Sequence, residues 1–350
     1  VLIYTAAGGE NLQAKGKRHT QNLAYSVDEG VSWNKYAANP VIPHIRGANR
    51  DPKVTWHAPS GKWIMALYLE QEYALFASPD LKHWEHLFTF TIPDSTECPD
   101  LFELPVDGNS QNTRWIFYGA NNSYLIGRFD GKSFTQECAV TGFTAGGDGY
   151  AAQSWSGIPP EENRCVQIAW LRLPIIAAMP FSQQMTIPVE LSLRSTGDGI
   201  RLFAWPIREL ECLHRHEHSW QSLSLSPGEN PLAGVAGELF DICLDLRLDT
   251  AAEIGLVVRG LPVVYDVREQ LLSCREKSFH LAPIEGKISL RLLVDRISLE
   301  IFANHGQVYL PLGVIFPDED HSIEIWSKGG SVFIESLEVF ELASIWEDGK

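Results

Sequence analysis

The chain has 350 residues, of which 45% are hydrophobic and 21% are charged, a composition typical of folded globular proteins that excludes extensive disorder. Its formal net charge of -16 argues against binding nucleic acid or an anionic membrane by bulk attraction, and no run of 18 apolar residues predicts a membrane span. None of the six cysteines forms a C-x-x-C pair, so a zinc or redox motif is not indicated, and their spacing leaves free thiols and disulfides equally open.

A turn motif recurs along the first part of the chain. Residues 26–33 read S-x-D-x-G-x-x-W, residues 78–84 repeat the motif one residue shorter, and residues 130–134 form a weaker third copy. The aspartates are separated by 80−28 = 52 and 130−80 = 50 residues. An aspartate in such a turn accepts backbone N–H bonds. A period of about fifty residues predicts a repeat architecture.

Strand-like segments of matching length lie between these turns, at residues 53–57 and 62–68, 100–104 and 114–119, and 150–156 and 165–171. Each pair precedes a third segment at 73–78, 124–129 or 188–194, and a fourth follows each turn, as in 83–90. Four short strands per repeat predict the blades of a β-propeller. The opening segments 1–6 and 23–26 match the second and third strands of a blade. We therefore expect one partial blade and three full ones, ending near residue 207. A propeller must close to remove its sheet edges, so we expect the missing strands to come from a preceding segment or from another chain.

The rest of the chain predicts a different domain. Residues 206–218 are the one convincing helical stretch, and we expect a linker helix at 208–221. Residues 241–249 then alternate polar and apolar side chains, and residues 287–302 and 331–342 are also strand-rich. This pattern predicts an antiparallel β-sandwich. The expected domains are a propeller at 1–207, the linker, and the sandwich at 222–350.

Three acids occupy matching places in successive repeats. Asp51, Glu97 and Asp148 are separated by 97−51 = 46 and 148−97 = 51 residues, and each lies just before the first strand of its blade. First strands line the axis of a propeller, so the three carboxylates are expected to converge. Glycosidic cleavage needs a protonated acid and a carboxylate placed together. Spacing alone leaves a role as turn-capping acids equally open.

Five motifs carry a resemblance to a known family. Residues 50–52 resemble the R-D-P motif of glycoside hydrolase family 32, which contains invertases, inulinases and levanases, and residues 97–100 resemble its E-C motif. Residues 148–153 are similar to its D-x-Y-A-x-Q segment. Residues 179–181 with 184–186, and residues 295–296 with 300–302, resemble later landmarks. The similarity spans nearly the whole chain.

The resemblance implies an all-β fold: a five-bladed β-propeller, incomplete at the N-terminus in this chain, followed by a C-terminal β-sandwich. It implies retaining cleavage of sucrose, inulin or levan without a cofactor or metal, and an extracellular or periplasmic location is favoured. Glu97 would be the general acid/base and Asp51 the transition-state stabiliser. Sugar contacts would come from Arg50, Asp148, Tyr150 and Trp170. The family's nucleophile is the Asp of an N-D-P-N-like motif, and residues 1–350 contain none.

Two other functions compete with this interpretation. A sialidase would share the turn motif, but it needs an arginine cluster that does not recur here at the blade positions of the acids. An inactive or carbohydrate-binding module derived from a hydrolase would explain the absent nucleophile. Among the remaining features, the alternating pattern of His214, His216 and His218 indicates a solvated cluster rather than a metal site. For Glu300 we expect a structural role or edge exposure. Cys98 is expected to be a packed residue rather than a nucleophile.

Overall fold

Short antiparallel strands make up almost all of the chain in the computed structural model, which describes residues 1–9, 12–173, 182–317 and 319–345. Helical structure in this part is confined to three short 3₁₀ segments, Ala58–Ser60, Pro160–Glu162 and Arg208–Leu213. None of the described helices has the length and apolar character that a bilayer crossing requires. The chain divides into unit 1 (Val1–Gly142, Tyr150–Ala169 and Ser192–Ile200) and unit 2 (Phe143–Gly149, Trp170–Leu191 and Arg201–Lys350).

Most strands of unit 1 pair antiparallel with the strands that precede and follow them in the chain. The first sheet has three strands, β1 (Leu2–Ala6), β2 (Thr20–Tyr25) and β3 (Asn34–Lys35). The second has four, β4 (Arg50–His57), β5 (Lys62–Tyr68), β6 (Tyr73–Ser78) and β7 (Glu85–Phe90). The next four strands repeat the pattern at one end of a larger sheet, as β8 (Asp100–Val106), β9 (Asn109–Tyr118), β10 (Tyr124–Phe129) and β11 (Phe134–Val140). These are the predicted half blade and the first two full blades.

The blades stack face to face through apolar side chains. Strands β5 and β6 are buried along nearly their whole length, because both faces of the sheet are covered. One cluster joins Ile64 and Leu75 of the second sheet to Leu101 and Phe117 of the third. A smaller cluster places Ile3 of the half blade against the opposite face of the second sheet. Burial on both faces explains why these strands appear in the sequence as continuous apolar runs.

The repeated turns have the predicted hydrogen bonding. The Asp28 carboxylate accepts the backbone N–H of Ser32, Asp80 accepts those of Lys82 and His83, and Asp130 accepts those of Lys132 and Ser133. Hydrogen bonds from Ser26 and Ser32 lower the pKa of Asp28 to about 2. The aspartate thus replaces backbone acceptors in each turn, which explains why an aspartate recurs in each repeat.

A fourth set of strands contributes to both units. It comprises β12 (Gly149–Ser154), β13 (Val166–Leu171), β14 (Gln184–Met185), β15 (Val189–Thr196) and β16 (Gly199–Pro206). Within unit 1, Leu193 of β15 forms a parallel bridge to Val106 of β8. The predicted segments 150–156, 165–171 and 188–194 correspond to β12, β13 and β15 within two residues at each end.

Unit 2 contains the β-sandwich. One sheet has the strand order β17-β27-β18-β23-β24-β25 and the other β22-β21-β20-β19-β26. The strands are β17 (His214–Leu225), β18 (Phe240–Arg247), β19 (Glu253–Val258), β20 (Leu261–Asp266), β21 (Leu271–Cys274), β22 (Lys277–His280), β23 (Lys287–Asp295), β24 (Ser298–Ala303), β25 (Val308–Gly313), β26 (Ile323–Lys328) and β27 (Val332–Leu342). Ile242, Leu244 and Leu246 of β18 point into the core, as their alternation predicts. The all-β fold class is confirmed.

The predicted linker helix at 208–221 is wrong. Only Arg208–Leu213 forms a 3₁₀ turn, and His214–Leu225 is a strand that pairs along its length with β27. Cross-strand hydrogen bonds and the packing of Trp220 against the core outweigh local helix propensity here. His214 and His218 are not a solvated cluster, because they bond Asp241 and Glu341 at 2.9 and 3.1 Å. The sandwich therefore begins before residue 222, and the division of the chain near residue 207 stays a prediction.

Glu300 is a fully buried acid in the sandwich. Its carboxylate accepts the backbone N–H of Ile187 at 2.6 Å and the hydroxyl of Tyr309 at 2.6 Å. Burial raises the pKa of Glu300 to about 7, and these two hydrogen bonds oppose that rise. The predicted structural role is supported, whereas edge exposure is excluded.

The raised pKa of Glu300 makes stability depend on pH. Between about pH 4.5 and 7 the folded state binds a proton that the unfolded state lacks, so the free energy of unfolding falls as pH rises through this window. A rise of the Glu300 pKa from 4.5 to about 7 corresponds to roughly 3 kcal/mol. The free energy of unfolding of E300Q minus that of wild type should therefore be larger at pH 8 than at pH 4.5, by up to that amount. Urea unfolding at the two pH values measures it. E324Q, at an exposed position of β26, should retain the wild-type pH dependence. Equal effects of E300Q at both pH values would contradict the assignment.

Candidate active site

The site begins with an unusual backbone conformation that two of the predicted acids share. Asp51 and Glu97 have φ values of 61° and 63°, in the left-handed region that residues other than glycine rarely adopt. Asp51 lies at an irregularity where β4 shifts register against β5 between Arg50 and Lys53. Bulges and left-handed residues re-aim side chains and cluster at functional sites. The matched conformation supports a common purpose for these acids.

Arg50 brings the two carboxylates together. Its guanidinium contacts Oε1 of Glu97, and its Nε lies 3.5 Å from Oδ2 of Asp51. The three side chains are each about 30% exposed, so they are accessible to a ligand yet partly desolvated. A cation between two acids offsets their mutual repulsion, which allows both to occupy one pocket.

Tyr150 completes the surroundings of Glu97 within unit 1. Its hydroxyl donates a hydrogen bond to Oε2 of Glu97 at 2.5 Å. The backbone carbonyl of Glu97 accepts bonds from the hydroxyl of Tyr73 at 3.1 Å and from the N–H of Ala120 at 3.3 Å. Both the side chain and the backbone of Glu97 are therefore held in place.

Asp51 is held from two sides. Its Oδ2 accepts a hydrogen bond from the Cys98 N–H at 3.2 Å, and the Cys98 thiol lies 3.6 Å away. On the other side, the Asp51 N–H donates to Oγ1 of Thr5, whose hydroxyl donates to Oε1 of the fully buried Gln21. The half blade thus supports the backbone that carries Asp51.

Burial and nearby charge alter the acidity of two groups at the site. Burial, together with the adjacent Asp51 carboxylate, raises the pKa of the Cys98 thiol to about 12. Burial also raises the pKa of Tyr68, whose ring lies under the guanidinium of Arg50 with 4.8 Å between the guanidinium carbon and the ring centroid. A neutral thiol is a poor nucleophile, which agrees with the packing role predicted for Cys98. All six cysteines are free thiols.

Asp148 and Trp170 lie in unit 2. Asp148 accepts the N–H of Gly313 through Oδ2 at 3.0 Å, and its own N–H donates to the carbonyl of Pro311 at 2.8 Å. These contacts bind it to strand β25 of the sandwich. The indole of Trp170 is 41% exposed, and its N–H donates to Oε1 of Gln183. Their predicted sugar contacts stay predictions, and the motif at 179–181 lies outside the described residues.

Sequence reasoning missed several contributors to the site. Tyr68, Thr5 and Gln21 carry no motif that marks them. Lys53 and Asp100 form an ion pair, and no sequence motif indicated that these two side chains would meet. Within the described ranges, no three His, Cys, Asp or Glu side chains come together as a metal site. The arrangement provides two carboxylates of different surroundings, one arginine and one phenol, which suits proton transfer and stabilisation of developing positive charge.

The chain matches two models of one family in succession. Residues 1–206 match the glycosyl hydrolases family 32 N-terminal domain, and residues 209–341 match the glycosyl hydrolases family 32 C-terminal domain. The chain belongs to glycosyl hydrolase family 32. This assignment confirms the resemblance that the five motifs carry and excludes the sialidase alternative.

Curated relatives within family 32 cover almost the whole chain. It is 32% identical to a levanase of Bacillus subtilis (strain 168) over 99% of its length, and 28% identical to an extracellular exo-inulinase of Aspergillus niger, also over 99%. The match covers 57% of the levanase and 75% of the exo-inulinase. The chain therefore spans a little more than half the length of that levanase.

Solved structures agree with this assignment. The exo-inulinase from Aspergillus awamori superposes with a TM-score of 0.81 at 25% identity, covering 94% of this chain and 75% of its own. The fructofuranosidase from Schwanniomyces occidentalis in complex with fructose has a TM-score of 0.82 at 21% identity, covering 93% and 77% of the two chains. The second comparison supports the fold alone.

The raised pKa of Cys98 predicts a protected thiol at the centre of the site. At pH 8 only about one in ten thousand Cys98 side chains would be a thiolate. Iodoacetamide should alkylate the exposed Cys212 at least about tenfold faster than Cys98, as measured by peptide mass spectrometry over time. Labelling of all six cysteines in urea is the control for reagent access. Equal rates for the two thiols in the folded chain would contradict the burial of Cys98.

Proposed function

We propose that this chain is the larger part of a retaining β-fructofuranosidase that cleaves terminal fructosyl units from sucrose, inulin or levan. The observation that carries the proposal is the pairing of Asp51 and Glu97 around Arg50 in a family 32 chain, with Tyr150 bonded to Glu97. The names of the levanase and exo-inulinase relatives support fructans as substrates. The exo-inulinase relative is an extracellular enzyme, which supports an extracellular location. The test is fructose release from the three substrates, with the product anomer identified by NMR.

Glu97 is proposed as the general acid/base. In a retaining mechanism one residue first protonates the leaving oxygen and then takes a proton from water. Arg50 and Tyr150 both donate hydrogen bonds to Glu97 here, which suits the carboxylate that receives the proton in the second step. Its partial exposure leaves room for the leaving group and then for water.

Asp51 is proposed as the stabiliser of the transition state. Positive charge develops at the anomeric carbon during cleavage, and a nearby carboxylate that accepts bonds from fructose hydroxyls favours that state. The bonds from Cys98 and the Arg50 contact fix the orientation of Asp51 before substrate arrives. Arg50, Tyr150, Asp148 and Trp170 are proposed to contact the sugar.

The nucleophile is proposed to lie outside residues 1–350. Retaining cleavage needs a second carboxylate about 5–5.5 Å from the acid/base, and the one D-P dipeptide in these residues is Asp51-Pro52 of the R-D-P motif. A segment or partner chain that contributes an N-D-P-N-like motif would supply it. The same observation favours the second candidate, an inactive or carbohydrate-binding module. Binding of fructans without cleavage by the complete gene product would support that alternative.

Replacement of Glu97 tests its role in proton transfer. E97Q in the complete gene product should lower kcat by about 10²- to 10⁴-fold while changing KM only slightly, because proton donation matters only towards the transition state. The measurement is steady-state fructose release from sucrose. E103Q, at an exposed position of strand β8, is the matched control and should behave as wild type. Near-normal turnover by E97Q would refute the assignment.

Residues 1–350 alone should not hydrolyse β-fructosides at a measurable rate. Without the attacking carboxylate, the remaining groups can protonate the leaving oxygen and stabilise charge but cannot form the covalent intermediate. The assay is fructose release by purified protein of verified mass, compared with the complete gene product. Rapid release by residues 1–350 would show that the nucleophile lies among them. Activity that appears with an added N-D-P segment, and disappears when its Asp becomes Asn, would support the proposal.

A further inference from the structure

A buried ion pair joins the first strands of three blades next to the candidate active site. Lys53 Nζ lies 3.1 Å from Asp100 Oδ1, and it donates to the carbonyl oxygen and Oγ of Ser154 at 2.5 and 3.1 Å. The Asp100 carboxylate accepts the N–H and hydroxyl of Ser154 at 2.5 and 2.9 Å. Each member of this Lys53–Asp100–Ser154 cluster is therefore bonded to both others.

The cluster is shielded from water. The side chain of Lys53 is 13% exposed, that of Asp100 is fully buried, and Ser154 is 8% exposed. Burying two charges costs desolvation energy that their attraction offsets only when the geometry is good, so a buried ion pair is weak evidence of a role in stability. The presence of such a costly ion pair beside the site suggests a role other than stability.

The positions of the cluster residues along their strands indicate that role. Lys53 follows Asp51 by 53−51 = 2 residues, Asp100 follows Glu97 by 100−97 = 3, and Ser154 follows Tyr150 by 154−150 = 4. Because a strand rises about 3.3 Å per residue, each cluster member lies within roughly 7–13 Å along the chain of a residue of the site. If the first strand of one blade shifted against the others, its cluster residue and its active-site residue would move together.

We propose that the Lys53–Asp100–Ser154 cluster is the positioning element of the active site. It holds three strands at the spacing at which Arg50 reaches both carboxylates and Tyr150 reaches Glu97. Its kinetic consequences rest on the proposed function, whereas its structural consequences rest on geometry alone. A displacement of about 1 Å at a catalytic group can cost about a hundredfold in rate.

The paired charges also predict an electrostatic signature. In the wild-type cluster the negative charge of Asp100 offsets the positive charge of Lys53. Removal of Asp100 leaves a cation that favours ionised Glu97, whereas removal of Lys53 leaves an anion that favours protonated Glu97. The other titratable or charged groups around Glu97 in unit 1 are unchanged in both variants; they are Arg50, Asp51, Tyr68, Tyr73, Cys98 and Tyr150.

The experiment measures pH–rate profiles of D100N, K53M, K53M/D100N and S154A in the complete gene product. In all four variants kcat should fall more than KM rises, by about a hundredfold in the single-charge variants. The alkaline limb should move to lower pH in D100N and to higher pH in K53M, and it should return towards wild type in the double variant. K62M and E85Q break an exposed ion pair of the same blade and should leave the profile unchanged. Wild-type kcat in D100N and K53M, or a shift in the same direction in both, would overturn the proposal.

A crystallographic comparison tests the proposal without activity. S154A introduces no unpaired charge, and K53M/D100N removes both charges, so these variants avoid the penalty of a lone buried ion. Their structures should show the contacts of Glu97 with Arg50 or Tyr150 lengthened by about 0.5 Å or more. Unmoved contacts in both would overturn the positioning role. If wild type cleaves no fructoside, the proposed function fails, and this comparison still decides the role of the cluster.

Discussion

Two carboxylates in one pocket repel each other, and the guanidinium of Arg50 is the group that keeps Asp51 and Glu97 together. Arginine suits this position because it stays charged and offers several N–H donors in a fixed plane. The ring of Tyr68 lies against the same guanidinium and limits its movement. The remaining features of the site orient these three side chains or hold the backbone from which they project.

The blades keep those backbones at a fixed separation by burying them on both faces. Apolar clusters join successive sheets, and the left-handed conformations of Asp51 and Glu97 then point the acids away from the regular strand direction. Such strained residues persist only where their surroundings hold them. Here the surroundings are the Thr5–Gln21 bonds, the Cys98 N–H, and the Tyr73 hydroxyl on the Glu97 carbonyl.

Buried acids of the sandwich are also held by hydrogen bonds. Asp241 is fully buried and receives two bonds from Arg291 as well as the imidazole of His214. Glu300 is also fully buried, and burial raises its pKa although hydrogen bonds from the Ile187 N–H and the Tyr309 hydroxyl oppose that rise. Both buried acids therefore keep hydrogen-bond partners, as buried polar groups generally do.

The sequence by itself determined the strand repeat, the Asp28, Asp80 and Asp130 turns and the sandwich alternation, because local hydrogen bonding and period-2 burial leave direct traces in residue order. Only the tertiary structure decided that residues 214–225 form a strand, since their partner β27 lies more than a hundred residues away. It also decided the Arg50 bridge, the Tyr150 contact and the Lys53–Asp100 pair. These contacts join different blades, and no local pattern records which side chains meet when separate strands are brought together.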